Sequence, residues 1–431
     1  MARLMTKHKP ISRNPWTWVP SLYVAEGIPY TLAMTVSVVL YKRMGISNTD
    51  IALYTSWLYL PWVIKPLWSP LVDLFRTKRY WILLMQLLLG ASLACIAFAI
   101  PASRFFQYTL AFFWLTAFSS ATHDIAADGF YMLGLSEDFQ AAYVGVRATF
   151  YRIAMIATQG GLVIFAGLLE RSGYDIPKAW SFTFFLAAAV LAALFLYHFL
   201  ILPYPTSDRP AIRNPSASFS REFLHTFGLF FRKKGILTIL AFFLFYRLTE
   251  TQLAKIVAPF LLDPRSKGGL GLTTSEVGII YGTVGVIALM LGGLLGGYAI
   301  YRKGLKYWIW IMVCAINLPN LVYVYLSQAM PDNIPLVNLL VAMEQFGYGF
   351  GFTAYTMFMI MVSEGKYKTV HYAISTGIMA LGMMVPAMFS GWLQELLGYS
   401  NYFLWVMAAT IPGFIVTGLV KIDPEFGKKK K

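Results

Sequence analysis

Charge is scarce in this sequence. Asp, Glu, Lys and Arg make up only 13% of the 431 residues, whereas soluble domains carry about 25%. Hydrophobic residues make up 58%, and they occur in separate blocks of about 20 residues, the length that an α-helix needs to cross the hydrocarbon core of a bilayer. The low charge therefore excludes an ordinary water-soluble domain and indicates an all-α integral membrane protein.

Cysteine and histidine are also rare, at two and five residues. Cys95 and Cys314 lie in different apolar blocks, so the chain has no disulfide framework and we expect both thiols to be free. The sequence lacks an HExxH motif, a Cys/His spacing for zinc and a Ser/His/Asp order. We therefore expect no metal, no cofactor and no enzymatic activity.

Polar breaks divide the apolar residues into twelve predicted transmembrane helices. One long polar stretch separates the first six helices from the last six. We therefore divide the chain into an N-terminal six-helix half (1–202), a linker (203–236) and a C-terminal six-helix half (237–431). The predicted helices span about residues 17–41, 51–72, 79–100, 106–134, 141–169, 179–202, 237–262, 275–300, 306–327, 335–362, 369–397 and 401–420.

The linker has two parts of different composition. Its first part is rich in Pro and Ser, as connecting segments often are. Its second part places Phe219, Phe223, Phe227 and Phe230 at helical spacing beside basic residues. This pattern predicts an amphipathic helix that lies on the membrane surface.

The net charge of +15 is unevenly distributed along the chain. Lys and Arg concentrate in the N-terminal tail, the linker, the C-terminus and alternate loops, which predicts that both termini and the linker are cytoplasmic. The N-terminal segment is basic but lacks the short apolar stretch and cleavage site of a signal peptide, so we expect it to be retained. The positive charge thus indicates membrane topology, and we expect no nucleic-acid partner.

Similar basic segments follow the second and the eighth predicted helix: SPLVDLFRTKR at 69–79 and GGYAIYRKGLK at 296–306. Six helices, a basic linker and six more helices, with this repeated loop, resemble the major facilitator superfamily. The resemblance implies that Asp73, Arg76 and Arg79 form a conformational gate loop, which holds the two halves together in one state and releases them in the other. The alternative is a basic loop that only obeys the positive-inside rule.

Several charged residues interrupt the apolar blocks. Each would cost about 2.5–3.5 kcal/mol if it faced lipid, so most of them must pair with one another or face a cavity. In the superfamily that the sequence resembles, helices 1, 4, 7 and 10 line the substrate cavity, and the five acids that lie away from the ends of these blocks all fall on those four helices. The acids are Glu26, Asp124, Asp128, Glu250 and Glu344, and the bases are Lys65, Arg152, Arg247 and Lys255.

Two carboxyl groups stand close together in the fourth predicted helix. Asp124 and Asp128 are four residues apart, so they share one face of the helix. In a low-dielectric site, two such groups do not both ionise unless a cation intervenes. We therefore predict that Asp124, Asp128 and Glu26 couple transport to protons. The alternative is a structural salt bridge from the Asp pair to Lys65 or Arg152.

Other polar and aromatic residues in the apolar blocks are candidates for binding a substrate. Basic groups suit an anionic group on a solute, and aromatic rings suit the faces of sugar rings. Structural alternatives are a local ion pair between Arg247 and Glu250, a hydrogen bond from Glu344 to a neighbouring helix, and plain packing for His123 and the aromatics. The candidates are Tyr30, Lys65, His123, Arg152, Arg247, Glu250, Glu344 and Tyr348.

Longer segments resemble a narrower family. FSSATHDIAADGFYMLGL (118–135), GVRATFYRIAMIATQGG (145–161) and MEQFGYGFGFTAY (343–355) are similar to the AmpG-type muropeptide permeases, which are related to acetyl-coenzyme A transporters. The resemblance implies proton-driven import of N-acetylglucosaminyl-anhydro-N-acetylmuramyl peptides across the bacterial inner membrane by alternating access.

The partners that this resemblance implies are a small-molecule substrate, protons and membrane lipid, with the protein acting as a monomer. Two other classes of function remain open from the sequence. One is a carrier of a different anionic or amphiphilic solute, such as acetyl-coenzyme A or a siderophore. The other is a receptor built on a transporter fold, although the chain has no soluble segment longer than the linker at 203–236.

Overall fold

The computed structural model describes residues 14–209, 227–365 and 368–428. Within these ranges the regular secondary structure is helical. The α-helices are α1 (Val19–Thr31), α2 (Ser37–Arg43), α3 (Asn48–Trp57), α4 (Leu60–Leu74), α5 (Lys78–Ala99), α6 (Phe105–Gly134), α7 (Glu137–Met155), α8 (Val163–Arg171), α9 (Ile176–Ile201), α10 (Ile236–Phe245), α11 (Leu248–Leu262), α12 (Thr274–Val277), α13 (Val286–Lys303), α14 (Leu305–Asn317), α15 (Leu321–Ala329), α16 (Ile334–Ser363), α17 (Lys368–Ala408) and α18 (Ile411–Leu419).

Each of the twelve predicted segments falls on a helix or on helices that follow one another directly, so this prediction is confirmed. Eight stretches of the described chain are long and apolar enough to cross a membrane. One of them, Val370–Leu419, contains the last two predicted helices, which Gly398 separates with a non-helical backbone (φ 72°, ψ 163°). The cytoplasmic position of the termini stays a prediction.

Three of the long helices contain a π-helical segment in which the backbone is locally widened. These segments are Leu32–Val36, Ile156–Leu162 and Gly278–Gly285. A π-bulge adds a residue to the turn and leaves backbone groups free to bond elsewhere, and such bulges are frequent at functional sites. The second and third segments pack against each other through Gly160 and Gly282, where the absence of side chains lets the backbones touch.

The chain forms two compact units, each built from several stretches of sequence. Unit 1 contains the described residues of Met1–Tyr30, Leu67–Ala154 and Phe184–Asn214. Its core is aromatic: the rings of Trp18 and Phe130 meet edge to face at 5.3 Å. Within this core α5 packs along α6, and the hydroxyl groups of Ser92 and Thr116 lie 2.9 Å apart between them.

Unit 2 contains the described residues of Thr31–Pro66, Met155–Thr183 and Pro215–Lys431. Its core centres on Phe242, whose ring lies 4.3 Å from that of Phe358 and 4.6 Å from that of Tyr246. Because this unit joins pieces of both predicted halves, the division into two six-helix halves stays a prediction from the sequence.

The predicted amphipathic helix of the linker lies largely outside the described residues, and Phe219 and Phe223 belong to that part. Of the described residues at its end, Phe230 is fully buried and its ring lies 5.5 Å from that of His371. Phe231 is partly exposed. The end of the linker is therefore anchored in unit 2 by Phe230, and Phe227 packs against the same core.

Glycines let α13 and α16 approach closely within unit 2. A Cβ atom at Gly349 would lie 2.0 Å from the carbonyl oxygen of Leu289, and one at Gly292 would lie 2.1 Å from that of Phe346. Close packing of small residues is a main source of helix association in membranes, where the hydrophobic effect between helices is absent. At Gly297, by contrast, a Cβ atom would meet open space.

We expect Gly349→Ala to destabilise the protein and Gly297→Ala to leave it as stable or slightly more stable. Both substitutions gain up to about 1 kcal/mol of helix propensity, but only the first forces two backbones apart, which typically costs about 1–3 kcal/mol. Thermal denaturation of the purified variants in detergent measures the difference. Equal Tm values for the two variants would contradict the close contact between α13 and α16.

Candidate functional site

A cluster of carboxyl groups lies in unit 1, where α1 and α6 meet. Glu26 of α1 and Asp124 of α6 are joined by a side-chain hydrogen bond. Two carboxyl groups this close in a low-dielectric site tend not to ionise together unless a cation intervenes. The Oε2 atom of Glu26 is buried without a hydrogen-bond partner. The structure thus brings together two of the three predicted proton-coupling residues, and their role in proton coupling stays a prediction.

The third predicted acid, Asp128, forms an ion pair with Arg147. Nη2 of Arg147 lies 2.6 Å from Oδ1 of Asp128, and the hydroxyl of Tyr23 donates to the same oxygen over 3.1 Å. The guanidinium also lies over the ring of Tyr23, 4.6 Å from its centroid, and 5.2 Å from that of Tyr131. Asp128 is therefore paired with Arg147, and both groups also act electrostatically on Glu26.

Arg147 is a site residue that the sequence analysis did not single out, although it lies within the predicted helix at 141–169. In the structure it lies in α7, which begins at Glu137. The predicted alternative partners of the Asp pair were Lys65 and Arg152, and the structure pairs Asp128 with Arg147. The signal in the sequence is weak: Arg147 and Tyr151 are four residues apart in GVRATFYR, as expected for a continuing helix.

His123 faces away from the carboxyl cluster and into the helix packing of unit 1. Gln86 of α5 donates from Nε2 to Nε2 of His123 over 3.0 Å. The Oε1 atom of Gln86 lies 3.0 Å from Nδ1 of His198, whose Nε2 lies 2.9 Å from the Ser21 hydroxyl. This buried chain links α1, α5, α6 and α9. It corresponds to the packing alternative for His123, and contact with a substrate stays a prediction.

Tyr30 and Arg152 are half-buried residues of unit 1. The ring of Tyr30, at the end of α1, lies 6.4 Å from that of Tyr151 on α7. Arg152 is the next residue on α7. Both candidates therefore lie on the two helices that carry Glu26 and Arg147, and their contact with a substrate stays a prediction.

The predicted gate loop has one residue, Asp73, whose side chain lies outside the described part of the chain. Arg76 is exposed and has a left-handed backbone (φ 65°). Arg79 donates from Nη2 to the carbonyl of Phe199 over 2.6 Å and lies over Tyr204, 4.1 Å from its ring centroid. In this structure Arg79 thus anchors the end of α9 within unit 1, and its role as a gate stays a prediction.

A second charged cluster lies in unit 2, where α10 and α11 are separated by a break at Tyr246 and Arg247. Nη2 of Arg247 lies 2.8 Å from Oε2 of Glu250 and also donates to the hydroxyl of Tyr348 over 2.8 Å. The guanidinium lies over Phe352, 4.5 Å from its ring centroid. The predicted local ion pair is present, and aromatic residues of α16 surround it.

Two further predicted binding residues, Glu344 on α16 and Lys65 on α4, belong to unit 2. The hydroxyl of Tyr323 on α15 donates to Oε2 of Glu344 over 2.9 Å, and Nε2 of Gln345 donates to the same oxygen over 2.9 Å. The predicted hydrogen bond to a neighbouring helix is therefore present. Lys65 is half-buried on α4. Substrate contact by either residue stays a prediction.

A polar cluster that the sequence analysis missed ties residues 31–66 to the C-terminal part of unit 2. Nζ of Lys42 lies 2.6 Å from Oδ2 of Asp263 and donates to Oδ1 of Asn48 over 2.8 Å. Tyr399 donates to Asp263 over 2.6 Å, and Nδ2 of Asn48 donates to Tyr399 over 2.9 Å and to Gln394 over 2.5 Å. We call these five residues the Lys42–Asp263 cluster. Charged residues at segment ends are ordinarily solvated, so the sequence offered no signal for it.

A second set of contacts between distant segments lies beside this cluster in unit 2. We call this set and the Lys42–Asp263 cluster the two ties of unit 2. Nη2 of Arg43 lies 2.9 Å from Oε2 of Glu170, and the hydroxyl of Thr274 donates to the same oxygen over 2.8 Å. Nε1 of Trp180 donates to Oε1 of Glu170 over 3.1 Å. Glu170 thus connects the end of α2 with the start of α12, and so joins segments from both predicted halves.

Long membrane-spanning helices, buried charged clusters and ties between distant segments define a multi-pass membrane transporter. The sequence profile of the Major Facilitator Superfamily matches residues 21–370. The chain belongs to this superfamily, and a small-molecule substrate follows from it.

Relatives of similar sequence include proteins named for muropeptide transport. The chain is 26% identical to the anhydromuropeptide permease of Escherichia coli over 91% of its own length and 77% of the relative's. It is 24% identical to the putative transporter AmpG 4 of Rickettsia conorii, over 92% of its length and 94% of the relative's.

Solved structures of similar fold are also transporters. The nucleoside transporter NupG aligns with a TM-score of 0.70 at 14% identity, covering 95% of this chain and 100% of that one. A D-xylose–proton symporter aligns with a TM-score of 0.69 at 10% identity, covering 96% of this chain and 99% of that one. At such low identity, this similarity defines the fold alone.

We expect Arg247→Met to lower Tm by more than the double variant Arg247→Met/Glu250→Gln. The side chains of the pair are only 7% and 11% exposed, and removing one partner of a buried ion pair costs about 3–5 kcal/mol because the other charge is left alone. The double variant removes that stranded charge. Thermal denaturation of the proteins in detergent measures both losses.

Lys178→Met is the matched control, since Lys178 pairs with Asp175 at the surface, where the side chains are 66% and 55% exposed. Exposed ion pairs contribute little, so this variant should keep the Tm of the parent protein. Equal losses for the single and the double variant at Arg247 would show that the buried pair is not the source of the destabilisation.

Proposed function

We propose that the protein is a proton-coupled secondary transporter that imports muropeptides across the bacterial inner membrane by alternating access. The observation that carries this proposal is the contact between the carboxyl groups of Glu26 and Asp124, because two carboxyl groups that share a low-dielectric site favour keeping a proton on one of them. A carrier driven by a proton gradient needs such a group.

The proton is exchanged when the contact between the two carboxyl groups is broken and reformed. Separation of α1 from α6 leaves two groups that no longer share a proton, and water that enters between them accepts it. In this proposal Asp128 takes no part in the exchange while it is paired with Arg147 at 2.6 Å. In this scheme Glu26 and Asp124 exchange the proton, and the Asp128–Arg147 pair keeps the helices in position.

The cluster around Arg247 suits the neutral polar groups of an amino-sugar substrate, because the charge of Arg247 is already paired with Glu250. Nε of Arg247 is buried without a partner and can donate to a hydroxyl or amide oxygen of the sugar. The aromatic rings of Tyr348 and Phe352 beside it offer flat surfaces for sugar rings. Two relatives are named for anhydromuropeptides or AmpG, which supports this class of substrate.

The two ties in unit 2 supply the closing contacts of the transport cycle. With the termini inside, the ends of α2 and α11 lie at the outer surface of the membrane, and Lys42–Asp263 and Arg43–Glu170 join them to their neighbours there. Entry of a solute from outside requires these contacts to break. They involve hydrogen bonds and ions that water replaces readily, so the closed end opens at modest cost.

Uptake of radiolabelled GlcNAc-anhydroMurNAc into spheroplasts that lack their own permease tests this function. We expect the wild-type protein to accumulate the sugar, and a protonophore to abolish the accumulation. Glu26→Gln and Asp124→Asn remove the shared proton while keeping a hydrogen bond, so we expect uptake at the background level. Membrane content of each variant is measured in parallel.

Asp332→Asn is the control for these carboxylate variants, because Asp332 is 92% exposed, and it should transport like the wild type. In preloaded vesicles without a gradient, Glu26→Gln should still exchange labelled for unlabelled sugar, since exchange needs no net proton movement. Uptake that resists the protonophore would overturn proton coupling. No uptake by the wild-type protein would overturn the muropeptide assignment and call for a screen of acetyl-coenzyme A and siderophores.

A further inference from the structure

Lys255 is a buried lysine in the middle of α11 that the clusters described above do not use. Its side chain is almost completely inaccessible, at 1% exposure. Nζ donates to the carbonyl oxygen of Met34 over 2.9 Å and lies 5.5 Å from the ring centroid of Tyr59. All three residues belong to unit 2, and they come from three different predicted transmembrane helices.

The acceptor of this hydrogen bond lies in an unusual backbone segment. Met34 is in the π-helical segment Leu32–Val36, where the widened turn leaves carbonyl groups free to accept from outside the helix. Tyr59 lies in the break between α3 and α4. The side chain of Lys255 therefore contacts two irregular backbone segments, the π-helical segment that holds Met34 and the helix break that holds Tyr59. Together these segments make room for the long side chain.

The contacts of Lys255 leave its charge without a counter-ion. Lys42, Arg147 and Arg247 each lie within 2.8 Å of a carboxylate oxygen, whereas within the described ranges Lys255 has no carboxylate at ion-pair distance. An ammonium group has three donors, and one carbonyl and one aromatic face satisfy only part of them. An unpaired cation at this depth is costly and is a mark of a functional site.

We propose that Lys255 binds the carboxylate of the transported solute in the state in which its contact with Met34 is broken. This inference rests on the proposed function. The Lys255–Met34 contact joins residues 31–66 to the second sequence half, as the Lys42–Asp263 cluster does. When the outer end opens, residues 31–66 move away from α11, and the carbonyl of Met34 is withdrawn from Lys255. The ammonium then lacks its protein acceptor, and an anionic group of the entering solute replaces it.

The exchange of one acceptor for another couples solute binding to the transport cycle. With a carboxylate bound, Lys255 gains the counter-ion that the protein does not supply, which stabilises the open state. Closure of the outer end returns the lysine to Met34 and displaces the carboxylate, which frees the solute for release. A neutral solute offers no such exchange, so Lys255 selects carboxylate-bearing substrates.

The experiment compares GlcNAc-anhydroMurNAc, which carries one carboxylate, with its methyl ester, by equilibrium binding to the purified full-length protein. We expect the wild type to bind the acid about tenfold or more tightly than the ester, the range expected for a charge-assisted hydrogen bond. Lys255→Met should bind both forms with the affinity that the wild type has for the ester. Lys255→Arg, which keeps the charge, should retain a preference for the acid.

Lys267→Met is the matched control, because Lys267 is an exposed lysine at the end of a short 3-10 helix, and it should bind like the wild type. If Lys255→Met does not fold, the wild type and Lys255→Arg are compared for their binding of acid and ester. That comparison still decides whether Lys255 binds the carboxylate of the solute. Equal binding of acid and ester by the wild type, or an equal loss of both in Lys255→Met, overturns the role of Lys255 and leaves the transport function intact. A wild type that binds neither form overturns the muropeptide assignment and this inference together.

Discussion

The electrostatic cost of a charge in hydrocarbon is the constraint on which the rest of this structure depends. An ionised side chain facing lipid costs about 2.5–3.5 kcal/mol, so the protein has to supply a partner for each one that it keeps inside. Arg147 neutralises Asp128, Arg247 neutralises Glu250, and the carboxyl groups of Glu26 and Asp124 contact each other. These requirements determine which helices must pack together.

Two features determine how the helices pack: the need to give each buried charge a partner, and the presence of small residues that allow close approach. Aromatic residues fill the cores of both units, as at Phe242 and Phe130, while glycines such as Gly282 and Gly349 let backbones touch. Where two backbones touch there is no room for a charge, and where charges lie the helices are held by polar contacts. Rigid glycine contacts and breakable polar ties therefore alternate along the same helices, which suits a protein that has to open and close.

Much of the fold was predictable because it depends on sequential patterns. Apolar blocks of membrane-spanning length located the helices, and each of the twelve predicted segments is helical. The identity of the buried acids was also predictable, since a residue such as Glu344 is conspicuous in an apolar block. The local pair of Arg247 and Glu250 was foreseen from a spacing of three residues. The partners from distant helices were not, and Arg147, Tyr323 and Met34 are three of them.

The sequence by itself determined the membrane class, the helical segments and the residues that need a partner, because composition and spacing along one helix carry that information. Only the tertiary structure decided which partner each residue found. A pair such as Lys42 and Asp263 depends on how two helices are rotated and where they cross, and each π-helical segment shifts the following side chains relative to a regular helix. Lys255 is the clearest case, because its acceptor is a backbone carbonyl, and a carbonyl group has no signature in the amino-acid sequence.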